Sequence, residues 1–321
     1  MSAPAVRLAG GTSIEWCDYT FNPWWGCEKV SPGCAHCYAD TLARRRAPGQ
    51  HLWGKDHRFR FFEAAHWGEP LKWARLAPAK LGRRPRVFCA SMADVFEERN
   101  DLRLEGARRR LFGLILATPE LDWLVLTKRP EFARDWLPEV ESFALFEQWP
   151  IPNLWMGVSI ENSRFTWRAD VLREIPAAVR FISAEPLLGS LFQDRVLASD
   201  TRQGHSTFDA QSGPEAPRAK GPLELTGIDW VIVGGESGHG ARPMRLEWAR
   251  EIVDACLDHC TDRCECSDEP TNYQCSHRPA VFVKQLGSVL ARELGAHTKG
   301  GDWDELPTDL QIREFPRSAT A

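Results

Sequence analysis

Short apolar runs ending in polar residues recur along the chain and alternate with helical stretches. The runs are Arg86–Ser91, Trp123–Lys128, Leu154–Ser159, Val179–Ser183, Trp230–Gly234 and Ala280–Lys284. Each is nearly continuous in apolar residues, the pattern of a parallel strand covered on both faces rather than a half-exposed one. Between them, Leu104 to Ala117 and Leu246 to Leu257 repeat apolar residues at helical spacing. In the second stretch Leu246, Ala249, Ile252, Val253, Cys256 and Leu257 share a face. Repeated strand-helix units predict an α/β fold, a parallel (β/α) barrel of TIM-like type, complete or partial.

A barrel gives the polar strand ends a meaning, because residues at the carboxyl ends of its strands converge on one mouth where chemistry normally sits. A first strand is expected around Ser13 to Tyr19. Ser91 and Asp94 then follow the second strand, Thr127, Lys128 and Arg129 the third, and Ser159, Glu161 and Asn162 the fourth. Ser183 and Glu185 follow the fifth, Gly234 to Gly238 the sixth, and Lys284 and Gln285 the last. Asp94 and Asn162 have helix capping as an alternative role, since their oxygens accept the unpaired amide protons of a helix start. Lys128 and Arg129 form a cationic pair where a buried strand emerges, which suits a carboxylate or phosphate. An ion pair from Lys128 to Glu161 or Glu185 is the alternative.

Four glycines lie within the seven residues from Gly234 to Gly240. They let backbone amides approach a ligand and permit positive φ. The stretch lacks the Gly-Lys-Ser/Thr ending of a nucleotide-phosphate loop and the spacing of a dinucleotide loop. It reads as a ligand contact with Glu236 and Arg242 as its polar groups, with a ligand-free strand-to-helix turn as the alternative.

Two stretches read as insertions in a single barrel domain spanning residues 1–321. Residues 199–222 are polar and rich in Gly and Pro, as in a flexible surface loop. Residues 260–278 carry Cys260, Cys264, Cys266 and Cys275, with His259 and His277 at the edges. That set suits a structural Zn2+ knuckle, with a second cluster or unliganded thiols as the alternatives.

Composition narrows the picture. The chain has 321 residues, 43% of them hydrophobic, enough for one large core with insertions or for two small domains. A net charge of -4 gives no overall footprint for nucleic acid and leaves only a local basic groove. The first residues lack the apolar core of a signal peptide, and no run reaches membrane-spanning length, so a cytoplasmic protein without membrane contact is expected. Ten cysteines in such a chain point to metal or redox chemistry rather than disulfides. Of the fourteen tryptophans, Trp24 and Trp25 flank Cys27, where they can shield a metal group or stack on a planar ligand. Trp123, Trp155 and Trp230 open strands and read as core or rim packing.

The most informative segment is Asn22-Pro23-Trp24-Trp25-Gly26-Cys27-Glu28-Lys29-Val30-Ser31-Pro32-Gly33-Cys34-Ala35-His36-Cys37-Tyr38-Ala39. Cys27, Cys34 and Cys37 lie close together on a Gly/Pro-bearing loop, and no fourth ligand is local. A structural zinc site would have to recruit a distant residue, whereas three thiolates on a cubane iron-sulfur cluster leave one iron open for chemistry. Buried thiols without metal are the third reading. His36 reads as a solvent-facing loop residue, with a metal ligand as the alternative.

Asn-Pro-x-x-Gly-Cys followed by Cys-x-x-Cys-Tyr-Ala resembles the cluster loop of radical S-adenosylmethionine (SAM) enzymes, notably the spore photoproduct lyase branch. The spacing here, Cys-x6-Cys-x2-Cys, is longer in the first gap than that superfamily's Cys-x3-Cys-x2-Cys. With Thr12-Ser13-Ile14-Glu15-Trp16 upstream and Gly234-Gly235-Glu236-Ser237-Gly238 downstream, the chain resembles a phage and prophage family of three-Cys-motif proteins of unassigned function, from about Thr12 to Gly287. The resemblance implies a barrel of the radical SAM type and a [4Fe-4S] cluster on Cys27, Cys34 and Cys37. It also implies SAM at the mouth, with Lys128 on its carboxylate and Ser159 and Glu161 on its ribose; Ser183, Glu185, Gly234, Gly235 and Glu236 complete the candidate cofactor residues. An electron-donor protein and a small-molecule or nucleotide substrate, or a nucleic acid, are the partners expected. The expected activity is reductive cleavage of SAM to a 5'-deoxyadenosyl radical. A zinc-bearing, non-enzymatic module for nucleic acid or protein is the second hypothesis.

Overall fold

The computed structural model describes residues 8–141, 150–192, 221–259 and 278–316. In chain order the elements are β1 (Tyr19–Thr20), β2 (Trp24–Trp25), α1 (Tyr38–Arg46), β3 (Arg60–Phe61), α2 (Ala64–Trp67), α3 (Glu69–Leu76), α4 (Pro78–Leu81), β4 (Arg86–Cys89) and α5 (Leu102–Leu116). They continue with β5 (Asp122–Thr127), α6 (Pro130–Glu141), β6 (Leu154–Ser159), α7 (Trp167–Glu174), β7 (Val179–Ala184), β8 (Trp230–Gly234), α8 (Leu246–Asp258), β9 (Ala280–Gln285) and α9 (Ser288–Glu293). Seven strands pair side by side in the order β1-β4-β5-β6-β7-β8-β9, every pair parallel. The sheet curls into a half-barrel. β2 and β3 form a separate antiparallel ribbon.

Strand pleating sorts the side chains onto two faces. Val87, Cys89, Trp123, Val125, Met156, Val158, Ile182, Val231, Val233, Val281 and Val283 belong to the large core that also takes Leu111 and Ile115 of α5, Leu172 of α7 and Ile252 and Val253 of α8. The opposite parity, Phe88, Leu124, Trp155, Phe181, Trp230, Ile232 and Phe282, fills the concave interior as a second cluster. Both faces are apolar because helices cover one and the curl closes on the other. This is why each run is continuous rather than alternating.

The first strand begins later than expected. Residues 13–17 are not strand; Trp16 instead enters the concave core, with its ring 4.7 Å from Phe88 and 6.1 Å from Trp230. The amino ends of the strands are closed by the C-terminal segment, where Arg313 bridges Phe282 and Phe315 packs 5.5 Å from Trp230 and 5.4 Å from Phe282. The Arg86 guanidinium lies 3.8 Å from the centre of the Phe315 ring. Apolar side chains therefore fill the interior below the mouth, and the mouth is the end left for polar groups. Asp101, not Asp94, caps α5, accepting from the amides of Arg103 and Leu104 at 2.8 and 3.2 Å. Asn162 caps the 3-10 turn before α7, accepting from the Arg164 amide at 3.1 Å. Among the described residues no helix is long and apolar enough to cross a membrane. Residues 260–277, which hold the four cysteines of the second insertion and His277, and most of 199–222 lie outside the described residues.

Asp122 begins β5 in a buried position, and burial pushes its carboxyl up to about 6, with Arg84 at 3.6 Å offsetting part of the effect. The folded chain thus holds this proton more tightly than an unfolded chain with a value near 3.8. Its contribution is most favourable below that value and declines as pH rises through about 6. Asp122→Asn should abolish a decline of about 1–3 kcal/mol, read as a flatter profile of Tm against pH in that window. An unchanged slope in the variant would assign the decline to other groups.

A candidate site built on the three-cysteine loop

The chain that leaves β1 runs along the carboxyl end of β4 and is pinned there by local hydrogen bonds. The Asn22 carboxamide accepts from the Met92 amide at 2.7 Å, and the Gly26 amide donates to the Met92 carbonyl at 3.1 Å. Cys27 bridges Trp53, and Cys37 stands at the N-cap of α1. Between those anchors Pro32–Cys34 forms a single 3-10 turn.

Buried charged groups hold this loop from below. Glu161 is fully buried and receives the Ser31 hydroxyl at 2.5 Å and Arg168 Nη1 at 3.0 Å. The same Arg168 nitrogen donates to the Ser159 carbonyl at 2.7 Å, and the guanidinium stacks over Phe165 at 4.5 Å. Gly33 has no room for a side chain, because a Cβ there would overlap the Glu161 carboxylate. Arg129 donates to the Glu28 carbonyl at 2.9 Å and to Asp94 at 2.9 Å, and its Nη1 lies 3.9 Å from Cys27 Sγ. Glu97 accepts from the Glu28 amide at 3.0 Å. From the opposite side of the mouth, Arg242 donates to the Pro32 carbonyl at 3.0 Å while pairing with Glu236 at 2.6 and 2.9 Å.

Above these contacts lies a cavity of about 350 Å³. Cys27, Cys34 and Cys37 line one wall; Lys128, Ser159, Ser183 and Glu185 come from successive strand ends; Gly235, Glu236, Lys284 and Gln285 close the far side. Lys128, Ser159, Ser183, Glu185 and Lys284 continue the inward parity of Leu126, Gly157, Phe181 and Phe282, so pleating alone aims them at the mouth. The floor is apolar, formed by Ile14, Trp16, Phe88 and Leu126. The side chains of Ser159 and Ser183 make no hydrogen bond among the described residues. Glu185 is engaged by Lys284 at 2.6 Å and by the Gln285 amide at 3.3 Å.

Two expected residues stand behind the wall rather than on it. Glu161 supports the cysteine loop, and Gly234 packs against Glu185 and Gln285. A Cβ on Gly235 would overlap the Leu286 carbonyl, so close packing with the last strand already requires that glycine. Trp24 is buried in the ribbon, and Trp16 and Trp53, not Trp24 or Trp25, line the cavity. His36 is exposed at the rim, and Trp123, Trp155 and Trp230 are buried in the core. Arg168 and Glu97 escaped sequence reading. Arg168 had a signal, a charge four residues before Leu172 on the apolar face of α7.

The electrostatics follow from burial. Desolvation raises the Cys27 thiol well above its ordinary value against the pull of Arg129, and raises Cys37 as well. For Lys128, desolvation opposes the charge, but Cys34 and Glu161 outweigh it and raise the ammonium. Desolvation likewise works against ionised Asp94, and Arg129, the Lys128 amide and Thr127 overcome it to lower the carboxyl. Two cations therefore face three thiols in a half-enclosed site. Among the described residues no three His, Cys, Asp or Glu side chains gather so as to hold a metal ion.

Fold and site define a half-barrel α/β protein with a three-cysteine loop folded over the carboxyl ends of its strands. The chain belongs to a family described as protein of unknown function (DUF5131), whose model matches residues 11–264. No curated protein and no solved structure matches the chain.

Removing one partner of a buried ion pair leaves the other charge uncompensated, at a cost of about 3–5 kcal/mol. Arg168→Met should lower stability by about that amount in urea titration, and should speed the reaction of Cys34 with a thiol reagent as the loop loses its support. Wild-type thiol reactivity in a folded Arg168→Met variant would show that the loop holds without Arg168.

Proposed function

We propose that the cavity is the active site of a radical SAM-type enzyme, with Cys27, Cys34 and Cys37 as the three protein ligands of a [4Fe-4S] cluster. The observation that carries this reading is the convergence of the three free thiols, two cations and two unengaged hydroxyls on one apolar-floored cavity. When bound, such a cluster would supply the electron for reductive cleavage of SAM to a 5'-deoxyadenosyl radical.

The donor set fits that group. Three thiolates are the soft ligands such clusters take, and among the described residues no fourth cysteine lines the cavity. Arg129 and Lys128 offset the negative charge that thiolates bring into a desolvated wall.

The chain's own groups then bind and orient. Lys128 offers a charge-assisted contact for the SAM carboxylate, and the Ser159 and Ser183 hydroxyls offer both donors and acceptors to ribose. Glu185, already paired with Lys284, and Glu236, already paired with Arg242, keep the far wall rigid and polar toward the amino group of the ligand. Glu161 acts from behind the wall by fixing Ser31 and Lys128. Ile14, Trp16 and Phe88 exclude water from the floor.

Anaerobic reconstitution with iron and sulfide tests the ligand set. The wild-type protein should turn brown and hold stoichiometric iron. Each of Cys27→Ala, Cys34→Ala and Cys37→Ala should lose most of it, whereas Cys89→Ala, buried away from the cavity, should not. Colourless protein that takes up only zinc, or full clusters in all three variants, would overturn the assignment.

SAM titration followed by the cluster's electron paramagnetic resonance signal tests the pocket. Lys128→Ala should weaken binding by about ten- to a hundredfold, the size of a charge-assisted hydrogen bond of about 1.5–3 kcal/mol, with iron content retained. Unaltered affinity would move the cofactor elsewhere.

A further inference from the structure

The ribbon of β2 and β3 stands beside the cysteine loop, and its side chains are not used by the cavity. From Arg44 to Arg60 the chain carries Arg44, Arg45, Arg46, Lys55, Arg58 and Arg60 against one acid, Asp56, in a protein whose net charge is -4. Arg44 is paired with Asp40. Arg45, Arg46, Lys55 and Arg58 are exposed and make no ion pair among the described residues.

Aromatic rings are interleaved with these cations. The register sets Trp25 opposite Arg60, whose guanidinium lies 5.0 Å from the Trp25 ring and 5.6 Å from Phe62. Phe59 and Phe61 take Arg99 and Arg103 at 5.3 and 5.0 Å. Trp25, Phe59, Phe61 and Phe62 are only half-buried. The rings are thus held in place by stacked guanidinium groups and still present area to solvent.

The surface connects to the site. A groove of about 300 Å³ runs between Arg44 at the end of α1 and residues 49–53, and Trp53 lines both this groove and the cavity.

We infer that this surface binds single-stranded nucleic acid and leads it to the mouth of the cavity. Exposed arginines would meet successive phosphates, and the ribbon aromatics would take unpaired bases by stacking, which needs no base-specific hydrogen bonds. A duplex hides its base faces and would leave the rings unused. An acidic polypeptide would meet the arginines but offer no planar partner for the aromatics. The inference stands on the arginines, the ribbon aromatics and the groove beside them, and holds whether or not the cavity works as proposed above.

Fluorescence anisotropy with labelled oligo-dT, oligo-U, a duplex of the same length and polyglutamate tests it on the full chain. The single strands should bind more tightly than the duplex and the polyglutamate. Combined Arg45→Ala, Arg46→Ala and Arg58→Ala should weaken single-strand binding at least about tenfold and reduce the slope of log K against log salt by about 2, as three lost phosphate contacts require. Phe62→Leu should weaken binding by about fivefold or more while leaving that slope unchanged, since it removes stacking and no charge. Iron loading and SAM affinity should stay at wild-type values in the triple variant, so the strand surface and the cofactor site are read separately. No single-strand binding at low salt, equal binding of duplex or polyglutamate, or wild-type affinity in the triple variant would each overturn the inference.

Discussion

The ion pair between Arg168 and Glu161, buried beneath the cysteine loop, is the interaction on which the site depends. Both groups are removed from water, so each is tolerable only with the other in place. Glu161 has a second oxygen to offer, and it takes the Ser31 hydroxyl of the loop. The loop is thereby tied to β6 through its carboxylate, and Gly33 lets it settle onto that carboxylate without a side chain between. An apolar pair of similar volume would pack as well but would hold nothing above it. The charge is there because the loop needs a hydrogen-bond acceptor at that depth.

The same device recurs around the loop. Arg129 joins Asp94 and the Glu28 carbonyl, Glu97 takes the Glu28 amide, and Arg242 joins Glu236 to the Pro32 carbonyl. A loop with little regular structure has backbone groups that nothing in a helix or sheet can satisfy. Here charged side chains from β4–β5, β6 and β8 satisfy them, so three parts of the half-barrel fix one loop. Burial raises the Cys27 and Cys37 thiols, and Arg129 beside Cys27 opposes that only in part.

The parallel half-barrel and its helices were legible in the sequence because each central strand is buried on both faces and reads as an unbroken apolar run. The polar strand ends were legible for the same reason: a polar residue directly after such a run has nowhere to go but the mouth. Lys128, Ser159, Ser183 and Glu185 follow this rule and line the cavity. Glu161 follows the parity too, yet the loop that covers it comes from far away in sequence, and no local pattern announces that cover. Trp16 was misplaced for a related reason, since an apolar residue before a strand reads as strand whether it pairs with a neighbour or plugs a barrel. Trp24 and Trp25 sit close to Cys27 in sequence, but the ribbon turns them away, and Trp53 takes the position against the cavity.

Local sequence by itself determined the periodicities, the strand ends and the grouping of Cys27, Cys34 and Cys37, because these depend on neighbours within a few residues. Only the tertiary structure decided which acid carries the loop, which arginine stands beside Cys27, and which aromatic rings border the cavity or receive a guanidinium. Those outcomes depend on contacts between residues far apart in the chain, 210 positions in the case of Arg242 and Pro32. Charge pairs at that separation are set by the shape of the curled sheet and the depth of burial it imposes, and neither is a property of any short segment.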